Sequence, residues 1–370
     1  MADMDNRHYV GGQNYVRAED FAPSPAAADG MVELMLGRGQ TCSVAANVVY
    51  AERSGKKLHL QILRPSASGG QQGAGEKLPL IMFVQGSAWH KQNVYGNIPQ
   101  LARFAMRGFV IAFVEYRESD IAPFPAQARD CKAAVRYMRA HAGEYGVDAD
   151  NIFLWGDSSG GHTVLMAGIT GDDEPYVGGW VAAEGSGSGG GSDGSGGGDG
   201  GGFGSGGSSN GGSKSGDSGG GSGNGGEGAS GVGGYGLHSC RVNAIVNYYG
   251  PVDVAKMCDQ PSTMNHSAAD SPEAYLIGRL PVREHPDRVK AANPATYVSA
   301  DRECPPVLTM HGDMDRLVPF EQSVIIHEAL VAAGKHSEYY KLLGADHGTG
   351  EFWSEDAYDI VEAFMRRYIV

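Results

Sequence analysis

Residues 151–162 read "NIFLWGDSSGGH", an apolar run that breaks into two serines and three glycines. A short continuous apolar segment closed by a glycine-rich turn is the signature of a strand buried on both faces. The residues that follow, "TVLMAG" (163–168), continue as a helix. Within the turn, Gly156-Asp157-Ser158-Ser159-Gly160 has the form G-x-S-x-G. At such a sharp strand-to-helix turn a serine is held at strained φ/ψ with its hydroxyl clear of the sheet, and small residues two before and two after avoid clashes. The helix start aims N–H groups and the positive end of its dipole at the same spot. Only Ser158 has glycine at both −2 and +2, which makes it the candidate nucleophile and leaves Asp157 a scaffold or pocket-wall residue. The competing interpretation is a glycine-rich turn with no chemistry.

Outward from this turn the chain alternates between two periodicities. "NVVYAE" (47–52) and "KLHLQILRP" (57–65) read as strands joined at Ser54-Gly55, with Leu58, Leu60 and Ile62 on one face. "LPLIMFVQG" (78–86), "FVIAFVEYR" (109–117), "VNAIVNYYG" (242–250), "PPVLTMHGD" (305–313) and "SEYYKLLG" (337–344) read as further strands. Helical spacing marks 95–108, 124–146, 159–169, 319–333 and the C-terminal stretch carrying Ala357, Ile360, Val361, Phe364 and Tyr368. Repeated strand–helix alternation implies an α/β fold, a mostly parallel sheet with helices on both faces. "SPEAYLIGRLP" and "AANPATYVS" suggest a short helical cap.

Half of the 58 glycines fall in 185–236, mixed with Ser, Asp and Asn and almost no apolar side chains. Such a stretch cannot bury enough surface to offset its ordering entropy and reads as a disordered insert. Residues 1–45 read as an arm or lid segment, and 46–370, interrupted by the insert, as one catalytic domain. A net charge of −14 argues against nucleic-acid binding. Five scattered cysteines with no C-x-x-C spacing argue against a zinc site or a disulfide framework. With neither a secretory signal nor a long apolar run, the expectation is a cytoplasmic protein with no membrane contact. Oligomeric state is not readable.

A serine nucleophile needs a base oriented by a carboxylate. Downstream, "TMHGDMDRLVP" (309–319) puts Asp313 and Asp315 just past a buried strand, where sites form in such sheets. "KLLGADHGTG" (341–350) puts His347 in a short loop between the last strand and the last helix. The competing interpretation makes both His311 and His347 satisfied loop histidines and Asp313 a turn cap.

These motifs together resemble the α/β-hydrolases, close to bacterial esterases of the acetyl-xylan and feruloyl esterase-like group, akin to hormone-sensitive-lipase-like esterases and more distantly to the prolyl-oligopeptidase catalytic domain. The likeness covers roughly residues 45–370 without the insert. Carried over, "HGDMD" matches H-G-x-x-D and favours Asp315 as the acid, and "GADHG" matches the motif that carries the base, His347. "QGSAW" (85–89) stands where the family has an H-G-G-G-type loop. By that alignment the N–H groups of Ser87, Ala88 and Ser159 form the oxyanion hole. The Cβ atoms of Ser87 and Ala88 imply a narrowed acyl pocket and short acyl groups. Trp89 is either a pocket wall or a core residue, and Asp130 in "ESDIAPFPAQARD" (118–130) an anchoring carboxylate. The resemblance implies a serine esterase of small-molecule esters with no cofactor or metal. The alternatives are a peptidase on the same triad and a non-catalytic binding protein of the same fold.

Overall fold

The computed structural model describes residues 41–66, 77–174 and 235–370, with positions 24, 29 and 31. All but the last two residues of the glycine-rich insert, and nearly all of the arm segment 1–40, lie outside the described residues. Residues 41–45 belong to the first strand. Residues 41–66, 77–174 and 235–370 belong to one compact unit, Gln40–Val370.

The elements run β1 (Thr41–Arg53), β2 (Lys56–Ser66), β3 (Leu78–Val84), α1 (Ile98–Ala105), β4 (Val110–Val114), α2 (Ala126–Ala140), α3 (Ala142–Tyr145), β5 (Val147–Asp157), α4 (Ser159–Thr170), β6 (Ala244–Tyr248), α5 (Val254–Met257), α6 (Pro272–Leu276), α7 (Pro286–Ala291), β7 (Val307–Gly312), α8 (Glu321–Ala332), β8 (Ser337–Leu342) and α9 (Glu355–Arg366). They build one eight-stranded sheet in the order β1-β2-β4-β3-β5-β6-β7-β8. β1 pairs antiparallel with β2, and β2 antiparallel with β4. Every other pairing is parallel. This is the expected α/β architecture, with the antiparallel hairpin at one edge. Ser54 (φ 51°) and Gly55 (φ 72°) turn that hairpin, both in the positive-φ region that two-residue turns matched to strand twist require.

The central strands are apolar on both faces because both are covered. In β3, Leu80, Met82 and Val84 enter one core cluster, while Ile81 and Phe83 enter the other. α2, α4 and α8 pack on the first face through Cys131, Val135, Val164 and Leu330. α1 and α9 cover the second through Leu101, Phe104, Val361 and Phe364. A third cluster joins Trp89, Phe124 and Met166 to Met257, Leu276, Ile277, Val282 and Val318, so α5 to α7 form a small cap seated on α4.

Several element boundaries differ from the periodicity reading: β1 starts at Thr41 rather than 47, and α1 spans Ile98–Ala105 rather than 95–108. β5 begins at Val147 rather than 151, because a register shift lets Val147 pair with Leu78 before the regular ladder starts at Ile152. The helix expected over 124–146 is interrupted at His141, whose ring hydrogen-bonds the Tyr137 carbonyl at 2.9 Å, and ends at Gly146 (φ 61°). Where the chain leaves α4 and returns at Tyr235, the two ends are clasped together. The Asp172 carboxylate accepts hydrogen bonds from Ser239 Oγ and the Cys240 N–H, both at 2.7 Å. Among the described residues no helix is long and apolar enough to cross a membrane.

Candidate active site

The turn after β5 has the strain its sequence implies. Ser158 sits at φ 52°, ψ −128°, a conformation that costs a non-glycine residue on the order of 1–3 kcal/mol. Its N–H is held by the Tyr248 carbonyl at 2.8 Å, and its carbonyl accepts from His162 N at 3.1 Å. The flanking glycines are steric necessities. A Cβ on Gly156 would lie 2.4 Å from the Gly160 carbonyl oxygen, and one on Gly160 would lie 1.9 Å from the Val84 carbonyl oxygen. The turn therefore packs backbone against backbone between β3 and β5, lifting the Ser158 side chain beyond the strand ends.

Asp315 and His347 arrive at the same rim from the loops after β7 and β8. His347 Nε2 stands 3.0 Å from Ser158 Oγ, and His347 Nδ1 stands 2.8 Å from Asp315 Oδ2. With Nδ1 donating to the carboxylate, the Nε2 lone pair faces the serine hydroxyl, the tautomer a general base needs. The Asp315 side chain is fully buried. Burial by itself would raise its carboxyl, but hydrogen bonds from His311 and His347 hold it well below the usual carboxylate range. The other oxygen, Oδ1, accepts the N–H groups of Leu317 and Val318, both at 2.9 Å. His311 is buried in β7. Its Nε2 faces the Val318 carbonyl at 3.1 Å, so that nitrogen carries a proton and also donates to Asp315 Oδ2 at 3.1 Å. Asp313 instead accepts the Gly344 N–H at 2.6 Å and tightens the neighbouring loop.

The loop after β3 departs from the alignment in one respect. The Ser87 N–H, expected at the oxyanion, donates to Ser159 Oγ at 2.8 Å and is thus already engaged. Among the described residues the N–H groups of Ala88 and Ser159 take no protein acceptor. Left-handed backbone falls on Ala88 (φ 53°) and Trp89 (φ 56°). Side chains hold this loop in place. Asp157 Oδ1 accepts the Gly86 N–H at 2.9 Å. Ser87 Oγ donates to the His90 carbonyl at 2.6 Å, which leaves Tyr116 Oη, 2.9 Å away, to donate to Ser87 Oγ. Burial pushes the Tyr116 phenol up to about 12, so it keeps its proton.

Trp89 is buried in the cap cluster and also borders the pocket. Its indole N–H donates to His162 Nδ1 at 3.1 Å, and His162 Nε2 donates to the Ala292 carbonyl at 2.7 Å. One neutral imidazole thereby ties the loop after β3, helix α4 and the cap. Burial pushes His162 down to about 4, against a smaller pull from the Ala292 carbonyl. Nothing in the sequence marks His162 apart from other helix histidines. Asp157 lies at the pocket edge, and burial raises it to about 6 despite the Gly86 hydrogen bond. Asp130 is an anchor: it is buried and receives Arg117 Nε at 2.9 Å, Arg117 Nη2 at 3.0 Å and Arg53 Nη1 at 3.2 Å.

Ser158, His347, Ala88, Trp89, Asp157 and Ser159 line an open cavity of ≈ 290 Å³, with Met257, Pro272 and Glu273 of the cap on its wall. A larger hollow of ≈ 950 Å³ opens at the N-terminal ends of β6 and β7, beside Arg241 and Pro306, and contains none of these side chains. Among the described residues no group of three or more His, Cys, Asp and Glu side chains is placed to hold a metal ion.

Known proteins resemble the chain over this same framework. Residues 70–183 and 227–330 match the BD-FAE family, a span that includes Ser158 and Asp315. Esterase LipC of Mycobacterium tuberculosis is 26% identical over 272 residues, 73% of this chain and 53% of LipC. The carboxylic ester hydrolase LipM of the same organism, itself described as probable, is 24% identical over 66% of this chain and 43% of LipM. The chain thus spans about half the length of these curated relatives. A solved structure described as a truncated carbohydrate esterase from gut microbiota superposes with a TM-score of 0.65 at 27% identity, covering 90% of this chain and 99% of that one. The chain belongs to the BD-FAE family, and its fold is that of the α/β-hydrolases.

Proposed function

We propose that the protein hydrolyses carboxylic esters with short acyl groups through an acyl-enzyme on Ser158. The observation that carries this reading is the hydrogen-bonded relay from Ser158 Oγ through His347 to a buried, ionised Asp315. Ser158 Oγ attacks the ester carbonyl as His347 Nε2 takes its proton. Asp315 stabilises the imidazolium that forms. The N–H groups of Ala88 and Ser159 receive the developing oxyanion, and His347 returns the proton to the departing alcohol. Water, activated by the same imidazole, then releases the acid and frees the serine.

The names of the relatives support ester hydrolysis, and the ≈ 290 Å³ cavity supports a small substrate. A fluorophosphonate probe is expected to label the native protein and not Ser158→Ala. Failure to label the native protein overturns the reading and favours the non-catalytic alternative. An aryl acetate is expected to outrun both the octanoate of the same alcohol and an aminoacyl anilide. Faster octanoate cleavage refutes the short-acyl preference, and faster anilide cleavage makes the protein a peptidase.

A further inference from the structure

The cap carries an ionisable pair that the reaction above does not use. His266 and Glu273 are both buried, with His266 Nδ1 3.1 Å from Glu273 Oε1. Both residues line the cavity that holds Ser158. His266 Nε2 lies 3.2 Å from the Leu317 carbonyl and 3.0 Å from Ser262 Oγ, a hydroxyl whose own proton goes to the Leu317 carbonyl at 2.9 Å. Nε2 faces only acceptors there, so it carries a proton. The contact between Nδ1 and Oε1 then holds a single proton, on either atom. In both arrangements the pair is neutral overall, and in both Glu273 Oε2 is a pure acceptor.

That oxygen is buried and takes no donor among the described residues. A buried acceptor without a donor is costly, and proteins leave few of them. A ligand that supplies an O–H at this wall removes the cost, while a hydrocarbon there makes it permanent. Because the pair is neutral, it favours a neutral hydroxyl over an ammonium group. Tyr249 adds a second such group on the same cavity. Its Oη is buried without a partner while its ring packs 4.6 Å from that of His347.

We propose that Glu273, oriented by His266, is a specificity-determining residue that accepts a hydrogen bond from a hydroxyl of the substrate, so that the favoured esters are hydroxylated ones. This rests on the ester-hydrolase reading. Glu273 makes no contact with the reacting atoms in this scheme. It selects what is held against them.

The test compares kcat/KM in two arms. One sets the monoacetate of a polyhydroxylated cyclic alcohol against cyclohexyl acetate, and the other sets the glycolate of an aryl alcohol against its acetate. The native protein is expected to prefer the hydroxylated member of one arm by ~10-fold or more, and the arm that responds tells whether the alcohol or the acyl part is read. Glu273→Met is expected to collapse that ratio toward one. Glu273→Gln is expected to keep most of it, because its amide N–H can donate to neutral His266 and leave its oxygen as a free acceptor. A native ratio near one in both arms overturns the proposal, as does an equal loss on both substrates in Glu273→Met. If Glu273→Met does not take up a fluorophosphonate, the native ratio alone decides. Probe labelling of the native protein also separates the two failures. A labelled protein without hydroxyl preference refutes only this inference, and an unlabelled one refutes the hydrolase reading beneath it.

Discussion

The turn after β5 and the loop after β3 sit side by side, and both hold non-glycine residues at positive φ: Ser158 in one, Ala88 and Trp89 in the other. They reach that state by different means. At Ser158 the strain is imposed by backbone packing, by glycines set so closely against neighbouring backbone that no Cβ fits. In the loop after β3 it is imposed from a distance, by Asp157 on Gly86, Ser159 on Ser87 and His162 on Trp89. Strain persists only where the surroundings over-determine the conformation. Close packing of glycines does this with backbone alone, Gly156 on Gly160 and Gly160 on Val84. Side-chain ties do it across more than seventy residues.

The comparison breaks if the two regions are not parts of one device. The largest effect belongs to the first region: Ser158→Ala is expected to lower ester turnover by about 10⁵–10⁶-fold with an unchanged thermal midpoint. Asp315→Asn, measured the same way, is expected to cost about 10⁴-fold by misorienting His347.

The ties of the second region are expressed in pH dependence. An unfolded chain protonates His162 near pH 6.5, the native one only near 4, so its contribution to stability is lost as pH falls from 6.5 to 4. Asp157 acts with the opposite sign. The unfolded carboxyl ionises near 3.8 and the native one near 6, so its contribution is lost as pH rises through that window. Each is on the order of 3 kcal/mol, and they nearly cancel. In the native protein these two contributions therefore offset each other between pH 4 and 6. His162→Asn should make stability fall as pH rises there, and Asp157→Asn should make it climb. Matching slopes in both variants would show that neither group titrates as described.

Smaller still, Ser159→Ala frees the Ser87 N–H and slackens the loop. It is expected to lower kcat about 10–100-fold while KM moves little. The smallest effect sharpens the meaning of strain itself. Ser158→Gly abolishes turnover yet is expected to raise unfolding free energy by about 1 kcal/mol, measured in urea, because glycine reaches that φ without penalty.

How far each region could be read beforehand follows from the same contrast. Gly156, Ser158 and Gly160 act on one another within five residues, so a linear pattern carries them. The buried strands announce themselves as unbroken apolar runs, and Asp315 and His347 stand just beyond two of those runs. The engagement of the Ser87 N–H is not legible in the sequence, because the side chain that takes it comes near only in the folded sheet. His162 and Tyr116 are illegible for the same reason. Their partners lie 29 residues away for Tyr116 and Ser87, 43 for Tyr116 and Ser159, and 130 for His162 and Ala292, with no local periodicity to mark them.

The clasp at Asp172 has a practical corollary. Both stubs of the long segment between Glu174 and Tyr235 are fastened near the N-terminal ends of β6 and β7, at the pole of the sheet remote from Ser158. Closing a longer or shorter loop between fixed ends costs little, about 0.6 kcal/mol per doubling of length. The position is therefore a natural splice port. A folded reporter or an affinity module could be housed there, and the host's kinetics should not register the guest.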